Sequence, residues 1–360
     1  MISKNGLLIL VVAAAVPAGA TAQMTVEEYT PRSTLKVPAH PVTRAKFPFI
    51  DVHNHQPTEM PPERLRELVR EMDKLNMRVL VNLTGRQGER LKTGVRNIRA
   101  TAPDRFVMFA NLDFTGMDQP GWTERAVKQF EQDVRNGAKG LKIFKNLGMD
   151  VTDSKGRVRT NDPRLDPIWA KAGELGVPVL IHTAEPHQFF EPWDRYNERW
   201  LELKEFPSRK RPPEPSWETL MNEQWDVIRR HRDTNFISAH LSWLGGDLER
   251  LGKLMDEMPN FYTEIGAVLA ELGRQPRFAK QWLIKYQDRV LMGKDTWAPE
   301  EYHVYFRVLE TEDEYFDYYR RRHAFWKMYG LGLPDEVLKK IYYKNALRII
   351  PGLDASAFPQ

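Results

Sequence analysis

The chain has 360 residues, 41% of them hydrophobic and 28% charged, with a formal net charge of +4. Those proportions suit a globular protein large enough for one substantial core, and they exclude wholesale disorder and a multi-span membrane protein. Lys and Arg are interspersed with Asp and Glu, so there is no electrostatic footprint for a nucleic acid. A chain without cysteine can hold a metal only through His, Asp, Glu or a modified Lys, which favours Zn, Mn, Fe or Co.

Residues 1–22 read as a signal peptide: Lys4 gives a positive start, residues 6–16 are apolar, and Ala20, Thr21 and Ala22 form a small-residue cleavage pattern. The apolar stretch is shorter than the ~20 residues of a spanning helix. Cleavage before Gln23 is therefore expected, giving a periplasmic or secreted protein with no stable membrane anchor. Residues 23–46, with Pro31, Pro38 and Pro41, read as an N-terminal arm on the surface, and residues 353–360 as a short tail.

From Phe47 onward, short apolar runs alternate with helical stretches. The runs are residues 49–52, 78–83, 106–112, 140–144, 177–181, 236–239, 261–265 and 290–292. Residues 63–75, 122–135, 167–175, 217–231, 247–258 and 277–286 carry apolar positions recurring at three and four. Near-continuous apolar strands are those covered on both faces, and eight such units in a row predict an α/β fold, a (β/α)8 TIM-type barrel over residues 47–352. Three connections are too long for plain loops. Residues 146–163 carry a hairpin signal at Asp153, Ser154, Lys155 and Gly156; residues 186–216 and 297–330, rich in aromatic and charged side chains, follow strands five and eight, and both read as lids.

Strand one ends in Asp51-Val52-His53-Asn54-His55, and alternation of side chains lets His53 and His55 face the same way at the C-terminal mouth. An isolated HxH is weak. Strand five, however, ends at His182, strand six at His240 and strand eight at Asp295, so metal-binding types fall at the same end of four strands, where barrel catalysis sits.

This pattern resembles the amidohydrolase superfamily, in its amidohydrolase-2 branch of metal-dependent hydrolases and nonoxidative decarboxylases. The resemblance runs from about Phe47 to Gly352 and rests on Asp51-x-His53-x-His55, Ile181-His182-Thr183, Ser238-Ala239-His240, Gly293-Lys294-Asp295 and Tyr343-Lys344-Asn345-Ala346. It implies that His53, His55, His182 and Asp295 bind one divalent metal, zinc before Mn, Fe or Co, while His240 polarises the substrate or binds a second cation. Asp295 would take the proton of the attacking water and His240 would stabilise the oxyanion. Lys142 looks like the place where binuclear members carry a carboxylated Lys, but this branch usually lacks that bridge, so it stands either as a bridge or as an unmodified cation for a substrate carboxylate. Lys139 and Lys145 read as solvated neighbours.

Around the mouth, Arg274 and Glu264 are substrate-binding candidates, or else an ion pair. In the first lid Glu185, His187, Trp193, Arg195 and Arg199 offer aromatic surface and cations for an aromatic or carboxylated small molecule, while His303 and His323 read as structural. The leading expectation is hydrolysis of an amide, ester, lactone or activated carbonyl. Decarboxylation of an aromatic or unsaturated carboxylate comes second, and a noncatalytic periplasmic binding protein third. A homo-oligomer is compatible with all three.

Overall fold

In a computed structural model, residues 24–26, 28–320, 323 and 325–359 are described. The chain divides into two compact units, residues 1–37 and residues 38–360, and the fold below is that of the second. The signal-peptide expectation falls on residues 1–22, outside the described residues. Among the described residues no helix is long and apolar enough to cross a membrane.

Eight parallel strand positions form the barrel, at the places the sequence predicts. They are Phe49–Asn54, Met77–Asn82, Phe106–Met108 continued by Ala110–Asn111, Leu141–Ile143, Val179–Ile181, Phe236–Ser238, Phe261–Glu264 and Val290–Leu291. The first three pair in sequence order, and the second half of the third leads through strands four to eight. Phe109 interrupts the third strand, yet its N–H still bonds Asn82 O at 3.1 Å, and Ala110 N bonds Gly140 O at 2.9 Å, so the two halves share one path. Between strands eight and one, Val52 N donates to Met292 O at 2.9 Å and Asp295 N to His53 O at 2.6 Å, with a parallel bridge between Asn54 and Asp295. That seam closes the barrel and lays Asp295 beside the two histidines of strand one.

Helices cover the outside. Pro62–Leu75 shows why one forms: Pro62 sits in the first turn where its missing N–H costs nothing, Leu65, Leu68, Met72 and Leu75 make one buried stripe, and Asn76 ends it in the left-handed region at φ 68°. The sequence reading passed over the helix Gly88–Thr101, where two glycines and many cations dilute the apolar stripe. Gly94 is required there, because a Cβ would come within 2.3 Å of Thr58 O. At the other end Asn345 donates from Nδ2 to Gln287 O and Val290 O, both at 2.7 Å, pinning the start of strand eight.

Of the three long connections, the first carries the expected hairpin, Thr152–Asp153 against Gly156–Arg157, with Gly156 at φ 105°. Residues 186–216 hold the short helix Trp200–Glu205, and residues 297–330 hold the helix Pro299–Glu310. The C-terminal tail packs back on the barrel: Tyr343 stacks on Phe358 with centroids 5.0 Å apart.

Candidate active site

His53 and His55 leave strand one on the same side, and Asp51 anchors the turn between them. Its carboxylate accepts from His53 N at 3.0 Å, Asn54 Nδ2 at 2.9 Å, Tyr302 Oη at 2.6 Å and Lys294 N at 3.1 Å. The Asp of the DxHxH run thus ties strand one to strand eight, and burial pushes its carboxyl up to about 6 despite these donors.

Three of the histidines are turned from behind. His53 Nδ1 lies 2.9 Å from Glu264 Oε1, His55 Nδ1 2.9 Å from Thr84 Oγ1 and His240 Nδ1 2.8 Å from Gly266 O. A carboxylate and a carbonyl only accept, so His53 and His240 carry their proton on Nδ1 and present a bare Nε2. Nε2 of His240 and of His182 is buried and bonded to nothing. Burial holds the His53 and His182 imidazoles well below their ordinary pKa and brings His55 down to about 4, so all three are neutral at pH 7, as metal ligands must be.

Asp295 faces these nitrogens: its Oδ1 lies 3.4 Å from His53 Nε2 and 3.6 Å from His55 Nε2. Two atoms each about 2.0–2.1 Å from one cation at a tetrahedral angle stand roughly 3.4 Å apart, so these separations suit a shared ion. The donor set is thus fitted to a divalent metal. His182 lies beside them, its ring centroid 6.4 Å from that of His53 and 4.5 Å from that of His240, a looser placement than His53, His55 and Asp295, whose ligand atoms are mutually within 4.8 Å. His53, His240 and Glu264 are equally close. Glu264, however, is committed: Oε1 accepts from His53 Nδ1 and from His240 N at 2.7 Å, and Oε2 from Gly266 N at 2.5 Å. Those bonds hold His53 and His240 in place and occupy both carboxylate oxygens of Glu264.

Lys142 is buried, with Nζ 3.5 Å from His53 Nε2, and burial pushes its ammonium down to about 7. Asp295 and His240 both come from strained backbone: Asp295 has φ 81°, and His240, Leu241, Ser242 and Trp243 have φ 59°, 52°, 56° and 54°. Four left-handed residues in a row make one left-handed turn, and it lays the Trp243 ring against His240, tilted by 32° with centroids 4.5 Å apart. Nothing in the sequence pattern signals that turn.

A cavity of about 210 Å³ opens on this rim, lined among others by His182, His240, Asp295, Trp243, Lys145, Glu185, Arg199, Glu202, Arg209 and Arg320. The long connections after strands five and eight therefore wall it. Lys145 pairs with Glu185 at 2.5 Å while its side chain stays 42% exposed, so it is both solvated and ion-paired. Arg199 is buried between Glu202 at 2.8 Å and Glu271 at 2.6 Å, and His323 is buried with Nε2 3.2 Å from Glu202. Trp193 and Arg195 are exposed and line neither this cavity nor its neighbour. Arg274 lines the neighbouring 270 Å³ cavity, pairs with Glu198 and lies 3.7 Å over the Trp326 ring. His187 borders that second cavity, 5.0 Å from the Trp217 ring. Sequence reasoning missed Thr84, Trp243, Glu202 and Arg320.

The eight-stranded barrel with histidines and a carboxylate at one mouth defines a metal-site barrel protein. The family model described as Amidohydrolase matches residues 43–352, and the chain belongs to that family. Among solved structures it is similar to an uncharacterized TIM-barrel protein from Bordetella bronchiseptica (TM-score 0.54, 16% identity, covering 84% of this chain and 97% of that one). It is also similar to a dihydroxybenzoic acid decarboxylase from Polaromonas sp. JS666 with bound manganese and the inhibitor 2-nitroresorcinol (0.51, 15%, 86% and 98%). A third is 4-oxalomesaconate hydratase from Rhodopseudomonas palustris (0.51, 14%, 86% and 97%). At such identities these likenesses establish the barrel fold. No protein of curated function matches the chain at a significant level.

Proposed function

We propose that the protein is a metal-dependent hydrolase of small molecules, with one cation held by His53, His55, His182 and Asp295. The observation that carries this reading is the 3.4 and 3.6 Å spacing of the His53 and His55 Nε2 atoms around Asp295 Oδ1. Zinc suits three imidazoles and one carboxylate, with Mn, Fe or Co as alternatives. When bound, a divalent cation there supplies Lewis acidity, polarising a carbonyl and lowering the pKa of water toward about 7. Asp295 is placed to accept the proton of the attacking water and return it to the leaving group. His240, with Nδ1–H held on Gly266 O, would stabilise a developing oxyanion after taking up a solvent proton at Nε2 before the substrate enters, and that proton stays on His240 through the reaction. Lys142 is read as an unmodified amine beside His53.

Decarboxylation of an aromatic carboxylate is the second reading, favoured by the cavity lining of Lys145, Arg199, Arg209 and Arg320 against Glu185, Glu202 and Asp295. Export with cleavage before Gln23 is inferred from the sequence pattern alone.

Metal analysis of protein purified without chelator tests the first claim: one ion per chain is expected, lost together with turnover in Asp295→Ala. Two ions, reduced to none or one in Lys142→Ala, would replace the mononuclear reading with a bridged one. A product carrying ¹⁸O from solvent indicates hydrolysis, whereas CO₂ release without oxygen incorporation indicates the lyase.

A further inference from the structure

Each cation on the cavity wall has a carboxylate partner except one. Lys145 is paired with Glu185, Arg199 with Glu202 and Glu271, and Arg209 with Glu202 at 2.5 Å. Even Arg211, just behind the wall, reaches Glu185 at 2.9 Å. Arg320 lines the same cavity as His182, His240 and Asp295, and among the described residues no carboxylate pairs with its guanidinium. What touches it is aromatic: the guanidinium lies 5.5 Å over the Tyr319 ring, and Tyr318, Tyr305 and, from farther off, the Glu301 carboxylate act on it electrostatically, Glu301 being already paired with Lys294. A half-buried guanidinium facing a cavity with no carboxylate in contact is an unfilled receptor, and its planar fork matches a carboxylate in two parallel hydrogen bonds.

We propose that Arg320 is the anion-recognition residue of this cavity, selecting substrates that present a carboxylate to the wall opposite the reacting bond. The inference rests on the metal-dependent reading above and narrows its substrate class. Arg320 is a specificity-determining residue: it fixes which end of the substrate enters first, while the rim histidines and Asp295 meet the other end. The cations already neutralised by Glu185, Glu202 and Glu271 hold the wall in shape and leave the net attraction to Arg320.

Benzoate and its uncharged counterpart benzamide serve as probes, titrated calorimetrically into metal-loaded and chelator-stripped protein as wild type, Arg320→Gln and Arg320→Lys. Benzoate is expected to bind wild type at least tenfold more tightly than benzamide, and Arg320→Gln to bring benzoate to the benzamide level with metal content and melting temperature unchanged. Arg320→Lys, which keeps the charge and loses the fork, should fall several-fold below wild type. The same differences are expected after stripping, so a chain that holds no metal would sink the enzymatic reading while leaving this test legible. Benzoate affinity that survives Arg320→Gln, or that vanishes with the metal and ignores position 320, overturns the assignment. Should Arg320→Gln fail to fold, a folded Arg320→Lys that binds benzoate as tightly as wild type overturns it equally.

Discussion

The inner rim and the outer wall of the cavity are built on opposite plans. At the rim, His53, His55 and His240 are each aimed by a group behind them, and Nε2 of His182 and of His240 is left without a hydrogen-bond partner. On the wall, Arg199, Arg209, Lys145 and their carboxylates satisfy one another, and one guanidinium is left over. The rim groups come from the ends of strands one, five, six and eight, fixed by the barrel; the wall groups come from side chains scattered over long connections. A barrel can therefore keep its rim while its wall is rewritten.

The contrast breaks most visibly at Glu202, which sits between Arg199, Arg209 and His323. Glu202→Gln leaves buried cations without their counter-charge and should cost about 3–5 kcal/mol, read as a lowered melting temperature. Burial opposes the charge of Glu202, but the hydrogen bond from His323 and the Arg199 charge outweigh it and hold the carboxyl well below its usual range. A depressed carboxylate gives stability that is present above its ordinary value of 4.5 and is lost as the pH falls beneath it. The gap between wild type and variant should thus be widest above pH 5 and narrow on acidification; a gap independent of pH would mean the wall is held by packing.

Glu264→Gln sharpens the rim side. It removes the carboxylate that orients His53 and should weaken metal binding about 10–100-fold, measured by chelator competition, with the fold retained. Unchanged affinity would show that His53 is held by packing alone. The smallest effect belongs to Trp193→Ala and Arg195→Ala, exposed on the connection after strand five: stability should move by less than about 0.5 kcal/mol, with turnover on any substrate the wild type accepts staying within twofold. A tenfold loss would bring these side chains back to the cavity mouth.

The same contrast explains what could be read in advance. All eight barrel strands and the positions of His53, His55, His182, His240 and Asp295 were legible because strands buried on both faces leave apolar runs and their ends leave polar residues. Glu264 looked like a substrate contact or an ion-pair partner, since a sequence does not say that the carboxylate at the end of strand seven turns under strand one. Arg195 and Arg199 looked alike, yet one is exposed and the other buried between two glutamates, a difference decided by how residues 186–216 fold back. Arg320 carries no motif at all, and only the cavity reveals it.

The turn at His240, Leu241, Ser242 and Trp243 is wound against the hand that L-residues prefer, at about 1–2 kcal/mol for each position. Its clasp is Glu264, through the His240 amide, and the same carboxylate grips His53 on strand one. Strands one, six and seven must therefore be seated together before either of the two histidines held by the clasp finds its final heading. The catalytic mouth is a keystone, completed by closure of the ring and beyond the reach of a half-barrel.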